Sequence, residues 1–187
     1  MCFGWLADSA LADSYKDIQA RRPELFHPET GYRIDRQRAP TPDDIPPPSR
    51  LVTADEAAVL IAQDAVAVDV FGALQSRYDE LDGKWLVSQR RSSLPGAVWL
   101  PETGRGVLDE TMSRYLRSNL ERLTKADKAH PIIVFCVADC WMSWNAAQRI
   151  AKLGYQNVHW LRHGTDGWLD TGRTLAPVDP VPVNVEE

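Results

Sequence analysis

Apolar positions recur along this chain with two different periods, and the alternation between them outlines a fold. Leu11, Tyr15 and Ile18 fall at helical spacing and predict a helix over 8–22, which Pro23 stops. Thr53-Ala54-Asp55-Glu56 has the form of a capping box. The Thr hydroxyl accepts from the N–H three residues on, and Glu56 reaches back, so a helix over 54–63 is expected. Ala65-Val66-Ala67-Val68-Asp69-Val70 is a nearly continuous apolar run, the pattern of a strand buried on both faces. A long polar loop is expected over 71–95, then a short strand over 97–100 between Pro95-Gly96 and Pro101. A helix over 109–124 turns Met112, Tyr115, Leu116, Leu120 and Leu123 inward. The clearest strand is Pro131-Ile132-Ile133-Val134-Phe135-Cys136. A helix over 143–153 follows and ends at Gly154, where a left-handed residue is wanted. A strand over 157–161 and a short helix over 165–170 complete the pattern. Strands alternate with helices, so the class is α/β with a central, mainly parallel sheet flanked by helices.

Proline changes the picture upstream. Pro28, Pro40, Pro42, Pro46, Pro47 and Pro48 exclude helix and central strand over 23–50. This stretch reads as an extended arm lying on the domain, with Tyr32 and Ile34 to dock it. The organisation expected is an N-terminal helix and Pro-rich arm over 1–50, one domain over 51–175 and a tail over 176–187. A chain of 187 residues with 44% hydrophobic content suits that plan. The net charge of −5, with no basic cluster, argues against nucleic acid or an anionic membrane surface as partner. No apolar run approaches the roughly 18–20 residues of a membrane span. Met1-Cys2-Phe3-Gly4-Trp5-Leu6-Ala7 is apolar but short, and Ala10-Leu11-Ala12 has a small-x-small pattern. The stub of a secretory signal and the start of an amphipathic helix both fit it.

The chemistry concentrates at two of the three cysteines, Cys2, Cys136 and Cys140. An odd, low count argues against a disulfide scaffold. Sites in open α/β sheets form beyond the carboxyl ends of the strands. Cys136 stands at such an end and leads into Val137-Ala138-Asp139-Cys140-Trp141-Met142-Ser143. A strand-loop-helix turn can aim N–H groups and a helix N-terminus at one sulfur, favouring a thiolate, a persulfide anion or a bound oxyanion. Cys140 is placed to resolve a persulfide or sulfenate on Cys136, to pair with it on oxidation, or simply to pack. The loop holds no Arg or Lys, so the bidentate phosphoryl grip of a cysteine phosphatase is missing. Arg90, Arg91, Arg105 and Arg162 are the candidate cations. Trp141 suits a pocket wall or docking surface; Trp168 suits core packing. No metal-ligand spacing is present and no cofactor is expected; His159 and His163 are isolated.

The motif order resembles the rhodanese-like domain over about 51–175. It runs from Val68-Asp69-Val70 through Ser93-Leu94-Pro95-Gly96-Ala97-Val98-Trp99-Leu100-Pro101 to Ile132–Cys136 and its loop. Gly154-Tyr155-Gln156-Asn157-Val158 and Gly164-Thr165-Asp166-Gly167-Trp168 follow in order. That resemblance implies sulfur transfer, a small sulfur-containing donor and acceptor, Cys136 as the persulfide-bearing cysteine, and Asp69 as the acidic residue beside its cradle. Three departures stand out. The loop is one residue longer, Val137 takes the place of a basic residue, and Ser93-Leu94 takes the place of a His. A narrower likeness lies in Cys140-Trp141-Met142-Ser143-Trp144-Asn145-Ala146-Ala147, with Gly31-Tyr32-Arg33 and Arg38-Ala39-Pro40. These residues resemble the rhodanese-like Cys-Trp motif proteins associated with PQQ-dependent alcohol catabolism. This likeness implies a periplasmic setting, with a cytoplasmic one as alternative, and a quinoprotein alcohol dehydrogenase or its cytochrome as partner. Thiol-disulfide redox at Cys136/Cys140 and an inactive binding module are the competing readings.

Overall fold

The computed structural model describes residues 13–72 and 77–183. Five parallel strands form the central sheet in the order β1(Arg50–Val52), β8(Val158–Leu161), β7(Ile132–Phe135), β2(Val66–Asp69), β6(Val98–Trp99). β7 and β8 are buried at every position, as the unbroken apolar run of β7 requires and as β8 manages with one buried polar residue, His159. The connecting helices are α2(Ala54–Ala62), α3(Glu110–Thr124), α4(Trp141–Lys152) and α5(Gly164–Asp170). The α/β class and the parallel sheet are thus as expected. The capping box of α2 is complete, with Thr53 accepting from the Glu56 N–H and Glu56 accepting from the Thr53 N–H. No helix among the described residues is long and apolar enough to cross a membrane.

The first helix is shorter than expected. α1 spans Tyr15–Arg21, with Ser14 as its N-cap, and residues 8–12 and Cys2 lie outside the described residues. A 3-10 turn, Pro23–Leu25, follows it, since proline suits the start of a new turn. The polar loop over 71–95 contains three short strands: β3(Arg77–Tyr78) pairs with β4(Trp85–Leu86), and β5(Arg91–Ser93) pairs with β9(Ala176–Val178). Segments of two or three residues are too short to show a period, and β9 was expected to be plain tail. Val183 of that tail is buried, and the Val181 N–H donates to the Trp99 carbonyl.

α4 begins at Trp141, two residues before the expected start at Ser143. Trp141 and Met142 therefore belong to the helix. The arm decides this boundary. Its Gln37 carbonyl accepts the Trp141 N–H at 2.8 Å, and Trp141 itself is fully buried against the arm. Arm and helix are knitted by tryptophan. The Trp141 Nε1–H donates to the Pro40 carbonyl and the Trp144 Nε1–H to the Asp44 carbonyl. Phe26 meets the Trp141 ring edge-on, with centroids 5.5 Å apart, and the buried Arg33 guanidinium lies 4.8 Å from that ring. Asn145 accepts from the Arg33 N–H and donates to the Arg33 and Gly104 carbonyls, so one buried amide ties the arm to the domain.

Candidate active site

The site lies beyond the carboxyl end of β7. Cys136 follows the last residue of the strand and Cys140 is the N-cap of α4. Between them the chain turns at Asp139, whose φ of 52° is tolerated because a short polar side chain suits the left-handed region. Gly164 closes the turn from below. Its φ is +51°, its neighbour Thr165 donates to the Cys136 carbonyl at 3.1 Å, and a Cβ there would run into that carbonyl. Glycine is needed at this position on both counts.

Both cysteines are free thiols and both are buried, yet their surroundings differ. The two thiols lie close enough for each to affect the other's titration. Burial first, then the Cys140 sulfur and the Asp69 carboxylate, push the Cys136 thiol well above its ordinary value. Cys140 is held down to about 7, chiefly by the neighbouring Cys136 thiol, with help from the Met142 N–H and the Arg38 guanidinium. Cys140 borders a cavity of about 530 Å³, whose lining includes Gln37, Arg38, Phe71, Arg105 and Met142. On the far side of Arg38 a second cavity of about 520 Å³ is lined by Arg90, Arg91, Trp99 and Val137 among others. Cys136 borders neither.

Asp69 ends β2 and is fully buried beside the loop. Burial pushes its carboxyl up, although Arg91 at 2.9 Å, the Ser93 hydroxyl at 2.6 Å and the Phe71 N–H all support the charged form. Ser93 therefore fills its unexpected place as a donor to Asp69. Arg91 also donates to the Cys136 carbonyl and lies over the Phe71 ring.

The expected ring of free N–H groups is partly used up. The Ala138 N–H donates to Asp166 at 2.6 Å and the Trp141 N–H to Gln37. Trp141 is not a wall of either cavity, because the arm takes both its indole face and its N–H. Ser143 is buried in α4. Its hydroxyl donates to the Cys140 carbonyl and accepts from Trp160, so it braces the helix start. Trp144 meets Trp141 edge-on and Tyr15 at a tilt, and it packs in the core. Of the candidate cations, Arg91 and Arg105 come to the site, while Arg162 is held by Thr41 and Asp43 of the arm. Arg38 is the cation sequence reasoning missed. It contacts Cys140 and donates to the Ala138 carbonyl at 3.0 Å. Its signal was the Arg38-Ala39-Pro40 run in the arm, read then only as part of a likeness.

A profile of the rhodanese-like domain matches residues 53–171, more than half of the chain. No curated protein matches it. Among solved structures, one similar chain is a thiosulfate sulfurtransferase from Pseudomonas aeruginosa, at 25% identity and a TM-score of 0.45. The match covers 68% of this chain and 20% of that one. A second is the polysulfide-sulfur transferase homodimer of Wolinella succinogenes, at 17% identity and a TM-score of 0.43, covering 68% of this chain and 78% of that one.

Proposed function

Because this chain belongs to the rhodanese-like domain family, we propose that it is a sulfurtransferase that holds sulfane sulfur as a persulfide on the loop from Cys136 to Met142. One observation carries the reading: two free, buried thiols stand beyond the carboxyl end of a central parallel strand, on the loop that leads into the next helix. Cys136 has the strand-end position to which the family resemblance assigns the sulfur. Cys140 has the border with the cavity and the helix N-terminus. Arg38 and Arg91 supply the positive charge that the loop lacks.

The test is turnover of thiosulfate or glutathione persulfide with a dithiol acceptor. The wild-type chain is expected to exceed the Cys136→Ser/Cys140→Ser double variant by orders of magnitude. Equal rates for the two proteins sink the reading. Two free thiols on one loop favour a second reading, a thiol-disulfide redox pair. Under it, redox titration gives a reversible two-electron couple while sulfane donors are not consumed.

The finer setting is also proposed. Residues 140–147 and the Gly31-Tyr32-Arg33 and Arg38-Ala39-Pro40 runs support service to PQQ-dependent alcohol oxidation in the periplasm, beside a quinoprotein dehydrogenase or its cytochrome. Deleting the gene should then slow growth on an alcohol as carbon source and leave growth on a sugar unchanged.

A further inference from the structure

We infer that the preferred donor is an organic persulfide whose thiol carrier bears a carboxylate on each side of the sulfur, held along a cationic trench that Arg38 of the arm divides. The inference rests on the sulfurtransferase reading. It adds the substrate class and a specificity-determining residue from outside the family-matching segment.

The two cavities beside the loop are lobes of one trench. Arg38, Phe71 and Gly72 line both of them and form the waist. The lobe of about 530 Å³ reaches the Cys140 end of the loop, and the lobe of about 520 Å³ reaches the Val137 end. Each alone has the size of a small-molecule site. Arg38 is fixed between them by its backbone. It forms an antiparallel bridge with Cys140, the Ala39 N–H donates to the Asp139 carbonyl at 3.0 Å, and the Trp141 N–H donates to the Gln37 carbonyl at 2.8 Å. Its guanidinium donates to the Ala138 carbonyl at 3.0 Å, in the middle of the loop.

The charge is divided in the same way. Arg36 lines the first lobe, Arg90 the second, and Arg38 both. None of these three forms an ion pair among the described residues. Arg105 and Arg91 also line the trench, but Glu102 and Asp69 already pair with them. Among the described residues, Asp35 is the one carboxylate in the lining of either lobe. Two anionic groups, one per lobe, complement this arrangement. Between them the walls are apolar, with Phe71 at the waist, Met142 on one side and Trp99 on the other. Such walls suit a polarizable sulfur and the methylenes of a carrier. Thiosulfate carries its charge on one compact group, so it engages one lobe and leaves the arginine of the other without a partner.

The transfer needs no oxidant. The loop thiolate forms a bond to the terminal sulfur of the persulfide. The bond from that sulfur to the carrier sulfur breaks, and the carrier leaves as its thiolate with the electron pair. The proton of the persulfide stays on the transferred sulfur.

Steady-state turnover by the full chain tests the inference, with the persulfides of glutathione, 3-mercaptopropionate and 2-mercaptoethanol as donors carrying two, one and no carboxylates. Thiosulfate is the fourth donor. Through the three persulfides kcat/KM should fall in that order, by about tenfold overall, as two exposed arginine–carboxylate pairs allow. The KM for thiosulfate should exceed that for glutathione persulfide. Arg38→Ala and Arg90→Ala should each narrow the spread among the persulfides several-fold, and Arg38→Lys should restore part of it. A check on the wild-type chain needs no variant. From about 0.02 to 0.3 M salt the KM for glutathione persulfide should rise several-fold, and that for the neutral persulfide should stay level. Equal kcat/KM for the three persulfides overturns the inference, and so does a spread that neither alanine variant narrows. Thiosulfate turnover with no preference among the persulfides overturns it and leaves the sulfurtransferase reading standing. If the wild-type chain consumes none of the four donors, that reading has failed and the inference fails with it.

Discussion

The domain over 53–171 and the arm over 23–49 contribute to this site in opposite ways. The domain supplies the two candidate thiols, on a loop that a parallel strand and a helix hold from both ends. The arm supplies none of the sulfur, yet it sets the conditions for it. It brings Arg38 to Cys140, takes the Trp141 N–H with Gln37, and lines most of the cavity that Cys140 borders. The loop carries no Arg or Lys, and a Pro-rich extended segment can deliver positive charge across the surface without a helix of its own. The lesson is that the surroundings of the loop include residues outside the family-matching segment.

Removing the arm's seat should produce the largest effect. Trp141→Ala empties a fully buried indole position between Phe26, Arg33 and Trp144. A loss of about 3–5 kcal/mol in denaturant unfolding is expected. A loss under about 1 kcal/mol would mean that the arm is not integral to the fold. Asn145→Ala comes next. It removes the Asn145 partner of the Arg33 N–H and of the Gly104 carbonyl, and leaves the Arg33 carbonyl with the Gln37 amide alone, for about 1–3 kcal/mol. Its signature should be faster proteolysis within 23–49 ahead of the domain.

Arg38→Ala should separate charge from scaffold. Arg38 is exposed, so stability should change by no more than about 0.5 kcal/mol. The KM for an anionic donor should rise several-fold and the midpoint of Cys140 alkylation should move up, with Arg38→Lys restoring part of both. An unchanged KM would show that the arm's charge does not act on the donor.

The smallest effect is on stability against pH. Cys140 is depressed from 9.0 to about 7, so its contribution is complete above the unfolded value and is lost as pH falls through about 7. Cys136 is raised, so its contribution is present below the ordinary thiol range and is lost above it. Thermal unfolding temperature should therefore climb between about pH 7 and the ordinary thiol range, then turn over. Cys140→Ser should flatten the climb; a climb that survives it assigns the slope to another group.

Much of the scaffold was legible in the residues. β2 and β7 were expected because nearly unbroken apolar runs mark strands buried on both faces, β8 was expected over 157–161, and the Thr53–Glu56 box marked its helix by local hydrogen bonding alone. The short pairs β3–β4 and β5–β9 were not, since their strands carry too few residues for a period and their partners lie far along the chain. The candidate site was legible as a place. Cys136, Cys140 and Asp69 do converge, and Met142 and Val137 do border cavities. The role given to Trp141 was not, because its surroundings come from the arm.

By itself, then, the sequence determined the α/β class, the family and the loop on which the thiols stand, because periodicity, capping and motif order are local properties of the chain. Only the tertiary structure decided which thiol meets the cavity, where the missing cation comes from and which N–H groups remain free. Those depend on Arg38 and Gln37 meeting a loop about a hundred residues away. Electrostatics and burial act through space, and no spacing along the chain records that meeting.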